Sequence, residues 1–83
     1  MGKKRSDMEI LADILRVAKG GAKKSHIVYK ANLNFKIVKN YLNILRSSGL
    51  IACPEGIDRV FSTTEKGTEY INHFDAFKDY MKL

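Results

Sequence analysis

Two short helical patterns separated by only three residues constrain the fold of this chain more than any other feature. Apolar residues recur at helical spacing in both patterns: Ile27, Val28 and Ala31 in one, and Val38, Tyr41, Leu42 and Leu45 in the other. The residues between them, Asn32-Leu33-Asn34, allow only a tight turn. Two helices joined in this way are typical of a helix-turn-helix.

Capping residues predict where the first three helices begin and end. We expect a first helix over residues 7–19, because residues 6–9 form a capping box and two glycines follow the apolar pattern. Ser25 is the expected cap of the second helix. Asn34 is the expected cap of the third helix, which should extend through about Ser48.

A β-hairpin is predicted after the third helix. Residues 50–53 and 59–63 are short runs with strand-forming side chains. Pro54 and Gly56 lie between the two runs and suit the tip of a hairpin. In a chain that begins with a helix-turn-helix, this hairpin has the place of a wing.

A last helix completes the predicted architecture. Thr64 is its expected cap, and it should run from about Glu65 to the end of the chain. The predicted fold class is mainly α with a small β component (α+β): a winged helix-turn-helix with a three-helix core, a β-hairpin wing and a long C-terminal helix. We expect one domain, with the core in residues 1–63 and a dimerisation helix in residues 64–83.

The charge of the chain is concentrated in its first half. The formal net charge is +6. Residues 1–48 contain eleven Lys or Arg against three Asp or Glu, whereas residues 49–83 contain four against six. Such segregation favours a polyanionic partner over a mere contribution to solubility.

The outer face of the third helix is the predicted DNA-contacting surface. In a helix-turn-helix this helix enters the major groove, where Asn can pair with adenine and Lys can reach guanine or phosphate. Basic residues at the start of the second helix would bind a phosphate, and one arginine of the wing would add a weaker contact. A merely solvated polar face is the alternative. The predicted DNA-binding residues are Lys23, Lys24, Ser25, His26, Asn34, Lys36, Lys39, Asn40, Asn43 and Arg59.

The aromatic stripe of the last helix predicts a homodimer. A helix over residues 65–83 is about 28 Å long, which is longer than a domain this small can cover. Tyr70 is expected to pack on its own core, and Phe74 to begin the exposed end. A helix that simply completes the monomer is the other interpretation. The predicted dimerisation residues are Tyr70, Phe74, Phe77, Tyr80 and Met81.

Catalytic and metal-binding motifs are missing from the sequence. His26 and His73 are far apart, and Cys53, the single cysteine, is expected to be a buried residue of a strand. We therefore expect no enzymatic activity, no metal and no cofactor. No apolar run reaches the ~20 residues of a membrane span, so a cytoplasmic, nucleoid-associated protein is expected.

The sequence resembles the small archaeal winged-helix DNA-binding proteins, which are dimers joined by an antiparallel C-terminal coiled coil. The resemblance rests on residues 21–35, GAKKSHIVYKANLNF, on Lys39-Asn40-Tyr41-Leu42, on Gly49-Leu50-Ile51 and on Thr64-Glu65-Lys66-Gly67. Thr63 departs from the aliphatic residue usual at its position, and the wing is acidic rather than basic. The resemblance implies binding to double-stranded DNA in a transcriptional or chromatin role.

Two functions are compatible with these observations. The first is a homodimeric protein that binds double-stranded DNA through its third helix. The second is a winged-helix module that contacts another protein through the aromatic end of the last helix and does not touch DNA. The second predicts a monomer in isolation, so the oligomeric state distinguishes the two.

Overall fold

Four helices and three short strands make up the part of the chain that the computed structural model describes, residues 5–53 and 60–81. Helix α1 (Asp7–Val17) continues into one turn of 3-10 helix (Ala18–Gly20). The remaining elements, in chain order, are β1 (Ala22–Lys23), α2 (Lys24–Lys30), α3 (Phe35–Ser47), β2 (Ile51–Ala52), β3 (Val60–Thr63) and α4 (Glu65–Tyr80). The predicted order of helices and hairpin strands is confirmed.

The three strands form an antiparallel sheet in the order β1-β3-β2. Ala22 of β1 pairs with Phe61, and Ile51 of β2 pairs with Thr63. Strand β1 was not predicted, because two residues carry no periodicity of their own. The tip of the predicted hairpin, residues 54–58, lies outside the described residues.

The expected cap of the second helix was wrong. Helix α2 begins at Lys24, so Ser25 lies inside its first turn. Lys23 occupies the cap position with an extended backbone and makes no side-chain cap hydrogen bond. The reason lies in the sheet, because Lys23 is paired with Val60 and the helix starts directly after this pair.

The predicted capping box of α1 is present. The Glu9 amide donates to Ser6 Oγ at 3.2 Å, and the Ser6 amide donates to the Glu9 carboxylate at 3.0 Å. This bond from the Ser6 amide holds the pKa of Glu9 below its ordinary value, because it stabilises the charged form. The helix itself ends at Val17, two residues earlier than predicted.

The core is built from the apolar stripes that the sequence predicts. Its largest fully buried side chains are Ile14, Leu15, Ile27, Val38 and Leu45, which come from α1, α2 and α3. Fully burying such a side chain contributes about 1.5–3 kcal/mol. Cys53 was expected inside a strand, but it follows β2 and is only half-buried against this core.

The start of helix α4 lies close to Gly49 and Leu50, the two residues that directly precede β2. Thr64 Oγ1 accepts from the Gly67 amide at 3.1 Å, as predicted for a cap, and also donates to the Gly49 carbonyl at 2.7 Å. Next to it, the Thr63 hydroxyl donates to the Leu15 carbonyl at 2.6 Å. Thr63 therefore makes a hydrogen bond that the aliphatic residue expected at this position from the resemblance could not make.

No helix within residues 5–53 and 60–81 is long and apolar enough to cross a membrane. The same residues contain no group of three or more His, Cys, Asp or Glu side chains that could hold a metal ion.

Gly67→Ala is expected to destabilise the protein by about 1–3 kcal/mol, because the added Cβ would collide with the Leu50 carbonyl oxygen and lie 2.6 Å from Thr63 Cγ2. Urea unfolding followed by circular dichroism measures the change. Gly20→Ala is the matched control, since a Cβ at Gly20 meets nothing within 4 Å. Equal unfolding free energies for the two variants would show that α4 does not approach β2 this closely.

Candidate nucleic-acid interface

Acidic residues are segregated from one face of the molecule. Residues 18–53 contain seven Lys or Arg and no Asp or Glu. In the part of the chain that the structure describes, every Asp and Glu lies on α1 or α4. The ion pairs seen there join Asp13 to Arg5 and Arg16, and Arg16 to Asp75, so none of them includes a cation of α2 or α3. These two helices therefore present an uncompensated positive surface.

The exposed side of α3 is divided into three stripes. Successive residues of a helix are rotated by about 100°, and burial of Val38 and Leu45 directs the opposite side toward solvent. The central stripe is polar, one flank is cationic and the other flank is aliphatic. The polar stripe consists of Lys36, Asn40, Asn43 and Ser47, the cationic flank of Lys39 and Arg46, and the aliphatic flank of Ile37 and Ile44, all of them exposed.

Hydrogen bonds at the N-terminal half of α3 fix its orientation. Asn34 is the predicted cap, and its Oδ1 accepts from the Ile37 amide at 2.7 Å. Tyr41 Oη donates to the Asp7 carboxylate at 2.8 Å. This bond raises the pKa of the Tyr41 phenol above its ordinary value, because the Asp7 carboxylate accepts from the protonated form. The bond joins α3 to the start of α1 and opposes rotation of α3 about its axis.

The turn between α2 and α3 is held by the backbone. Asn32 adopts a positive φ of 57°, which asparagine tolerates better than most residues. The Leu33 amide donates to the Val28 carbonyl at 3.0 Å. Arg5 donates to the Asn32 carbonyl at 3.3 Å, so the residue that precedes the cap of α1 is tied to this turn.

A cationic cleft of about 210 Å³ lies beside α3. Three cations, one from α2 and two from α3, border it, and none of its lining residues within 5–53 and 60–81 is acidic. The Lys24 ammonium also lies 5.9 Å from the centroid of the Phe35 ring, a cation–π contact that holds it near the start of α3. The cleft is lined by Lys24, Lys39, Leu42, Asn43, Arg46 and Phe61.

Arg46 is the cleft residue that sequence reasoning missed. It lies three residues after Asn43 and seven after Lys39, so its position on the same side of the helix was visible in the sequence. Arg46 was not among the predicted DNA-binding residues, because its apolar neighbours Leu42 and Leu45 make this part of the helix resemble the edge of the core.

The other predicted residues are distributed as follows. Lys36, Lys39, Asn40 and Asn43 share the exposed side of α3, whereas Asn34 is engaged as its cap. Arg59 lies outside the described residues. A wider concave surface of about 610 Å³ contains Lys23, Ser25 and His26. Tyr29 and Lys30, which were not among the predicted DNA-binding residues, also line it.

At the end of α4, the expectation that Phe74 is exposed was wrong. Only 9% of Phe74 is accessible, because the ring packs within the chain and stacks on Tyr70 at a centroid distance of 6.3 Å. Tyr70 Oη donates to the Met8 carbonyl at 2.9 Å, and partial burial raises the pKa of this phenol. Thus α1 covers the first part of the stripe.

The exposed part of the stripe begins at Phe77. Phe77 and Met81 are each more than half exposed and line a groove of about 340 Å³ between the end of α4 and the start of α1. Met8 lies on the α1 side of this groove. Tyr80, which is 85% exposed, is not part of the lining. Of the five predicted dimerisation residues, Phe74, Phe77 and Met81 therefore line the groove, Phe74 as its largely buried part, whereas Tyr70 and Tyr80 do not line it.

Comparison with known proteins assigns the class. Residues 4–82 match the sequence pattern of the winged helix-turn-helix family, and because this match spans nearly the whole chain, the chain belongs to that family. The structure is similar to that of Sso10a-2, a DNA-binding protein from Sulfolobus solfataricus, with a TM-score of 0.86 and 29% sequence identity. The alignment covers 94% of this chain and 83% of Sso10a-2.

Longer proteins share the fold. NMB1585, a MarR family regulator from Neisseria meningitidis, has a TM-score of 0.66 and 26% identity, over 87% of this chain and 55% of that one. ZitR from Lactococcus lactis, solved in complex with DNA, has a TM-score of 0.66 and 16% identity, over 99% and 62%. This chain thus spans less than two-thirds of their length. Curated proteins give no match. The predicted fold class and the resemblance to an archaeal winged-helix protein are confirmed.

Asn34→Ala is expected to lower the free energy of unfolding by about 1 kcal/mol, because it removes the side-chain bond to the Ile37 amide at the start of α3. Chemical denaturation measures this loss. Asn40→Ala removes the same group from an exposed position inside the helix and should change stability by less than about 0.5 kcal/mol. If both variants unfolded alike, Asn34 would not act as the cap.

Proposed function

We propose that this protein is a homodimeric, double-stranded DNA-binding protein of the cytoplasm or nucleoid that acts as a transcriptional regulator or a chromatin component. The observation that carries the proposal is the acid-free surface of α2 and α3, on which polar and cationic side chains of α3 project together. A polyanion gains favourable interactions with this surface and meets no carboxylate within residues 18–53. As a winged-helix DNA-binding protein, this chain is not expected to act as an enzyme.

The contacts are divided between base edges and phosphates. The central stripe of α3 contributes Lys36, Asn40 and Asn43 to the major groove, where an asparagine side chain can pair with adenine and a lysine can reach guanine. The cationic cleft, with Lys24, Lys39 and Arg46, lies along one flank and seats phosphates. Contacts to phosphates position the protein, whereas contacts to bases select the sequence.

Further phosphate contacts are proposed for the residues around the start of α2 and for the wing. Lys23, Ser25 and His26 lie together on the concave surface next to β1. Arg59 is the corresponding residue of the wing. We assign the DNA contacts to residues 1–63 and the subunit contact to residues 64–83, with the first half of α4 also belonging to the core.

Similar proteins provide independent support for DNA binding. Sso10a-2 is a DNA-binding protein that matches nearly all of this chain, and ZitR carries the same fold in a complex with DNA. The Sulfolobus source of Sso10a-2 agrees with the predicted archaeal resemblance. Since the MarR family regulator is longer than this chain, a regulatory role is part of the proposal and not of the family assignment.

The groove between α1 and α4 is the proposed subunit contact. Met8, Phe77 and Met81 leave an apolar surface that the chain itself does not cover. A second copy would bury it, and a twofold axis would place the same groove on both sides of the contact. Tyr80 would lie at the edge of such a contact, and Tyr70 and Phe74 would support it from beneath.

Affinity for a mixed-sequence duplex is expected to fall with salt, with a log–log slope of roughly −5 if each subunit of the dimer neutralises about three phosphates. The Lys39→Ala/Arg46→Ala variant should bind more weakly and reduce the slope to roughly −2, since four contacts per dimer are lost. Fluorescence anisotropy titrations over a series of salt concentrations measure both quantities.

Lys66→Gln is the control for this titration. It removes one positive charge, where the double variant removes two, and Lys66 lies on α4, where its ammonium donates to the Ser48 carbonyl at the C-terminal end of α3. Its slope should equal that of the wild type. Absence of binding at low salt, or a slope unaffected by the double substitution, would contradict the proposed interface.

Phe77→Glu is expected to convert a dimer of twice the 9.4 kDa chain mass into a monomer, because it places a charge in the apolar groove. Sedimentation equilibrium measures the mass. Ala76→Glu adds the same charge at an exposed neighbouring position that does not line the groove, and it should leave the dimer intact. A monomeric wild-type protein would refute the homodimer and favour a protein-interaction module in its place.

A further inference from the structure

Two exposed isoleucines on α3 lie outside its buried stripe and outside the contacts assigned so far. Ile37 is 38% exposed and Ile44 is 50% exposed. They are seven residues apart and therefore lie on one side of the helix, two turns from each other. This aliphatic flank does not belong to the buried stripe of α3, which consists of Val38, Leu42 and Leu45.

Asn40 lies between the two isoleucines. It follows Ile37 by three residues and precedes Ile44 by four, the two spacings at which side chains are neighbours on a helix. The cationic flank, with Lys39 and Arg46, is on the other side of the central stripe. Around the exposed side of the helix, the order of side chains is thus cationic, then amide, then aliphatic.

An A·T base pair offers the complement of this order in the major groove. Adenine presents the N7 acceptor and the N6 donor, which one asparagine side chain can bind together. Thymine presents O4 and the C5-methyl group, and the methyl group is the apolar feature that distinguishes this edge. Apolar side chains beside an asparagine are therefore suited to the same or the neighbouring base pair.

We propose that Ile37 and Ile44 contact thymine methyl groups while Asn40 pairs with adenine, so that α3 prefers A·T base pairs and reads them from the major groove. This inference rests on the proposed binding of double-stranded DNA by α3. The charge of the helix favours DNA as the occupant of the aliphatic flank: α3 has Lys36, Lys39 and Arg46 and no acidic residue. The phosphates of a DNA duplex would pair with these cations, and its thymines would present methyl groups to the isoleucines.

Orientation of the flank depends on Tyr41. Its hydroxyl is bound to Asp7 of α1, and its ring lies half-buried next to the core. Because Tyr41 is anchored, Ile37 and Ile44 are held between the half-buried Tyr41 and the exposed central stripe of α3. The isoleucines thus lie beside the side-chain amide of Asn40, where they would contact base edges of the DNA major groove.

The test compares two duplexes that differ only in the methyl group. One contains only A·T pairs, and in the other every thymine is replaced by deoxyuridine. The wild-type protein should bind the thymine duplex more tightly by about fourfold for each methyl group that a side chain covers. Ile37→Ala/Ile44→Ala should bind the two duplexes equally. Anisotropy titrations at one salt concentration give both dissociation constants.

Lys39→Ala is the matched control, because a contact to phosphate carries no sequence information. It should weaken binding to both duplexes by the same factor and leave their ratio unchanged. Using the ratio also removes any general loss of affinity or folding in the isoleucine variant. A third duplex of inosine–cytosine pairs keeps the minor-groove pattern of A·T but changes the major groove, and it should bind more weakly than the thymine duplex.

Each outcome decides between the proposals. Equal binding of the thymine and deoxyuridine duplexes by the wild type, or a ratio that the isoleucine substitutions leave intact, overturns methyl-group readout while DNA binding stands. Failure to bind any duplex at low salt refutes the proposed function itself. Sedimentation of Ile37→Ala/Ile44→Ala as a monomer while the wild type is a dimer would place the isoleucines in a subunit contact and also overturn the inference.

Discussion

Burial of one side of α3 is the constraint on which the rest of the surface depends. Val38 and Leu45 are fully buried and Leu42 is nearly so. Since the residues of a helix have fixed angular relations, packing these three side chains into the core determines where every other side chain of α3 projects. Asn34 at the helix start and Tyr41, which is bound to Asp7, hold this rotation. The polar surface is thus positioned by the core.

The distribution of charge has a different physical basis. Exposed ion pairs such as those of Arg16 contribute only about 0–1 kcal/mol each to stability. Their placement matters more for the electrostatic field, because they neutralise acidic residues on α1 and α4. Absence of acids from residues 18–53 leaves the field of α2 and α3 positive. A surface of this kind attracts polyanions over distances of about one Debye length, ~8–10 Å in physiological salt.

Helix α4 serves the core with its first half and leaves an apolar surface with its second half. Gly67 allows close approach to the Leu50 carbonyl, and Ile71 and Phe74 are buried beyond it. The same helical repeat then continues to Phe77 and Met81, which stay more than half exposed beside Ser6, Met8 and Glu9 at the start of α1. One uninterrupted pattern therefore spans two environments, which explains why Phe74 was expected on the exposed part.

Much of the fold could be predicted because the signals are local. A cap such as Ser6, Asn34 or Thr64 interacts with an amide three residues away, and an apolar stripe follows from the repeat of the helix. The outward face of α3 was predictable for the same reason. Arg46 carried an equally regular spacing signal, and only its position next to buried leucines obscured it.

What the sequence by itself determined was the order of the four helices and of the two hairpin strands, the caps of α1, α3 and α4, and the segregation of positive charge into α2 and α3. Only the tertiary structure decided that Ala22 and Lys23 form a strand, that α2 starts at Lys24, and that Phe74 is covered. The physical reason is the distance along the chain to the interacting partner. Strand β1 exists because β3 pairs with it, and Phe74 is buried because α1 lies over it, and no local pattern encodes either partner.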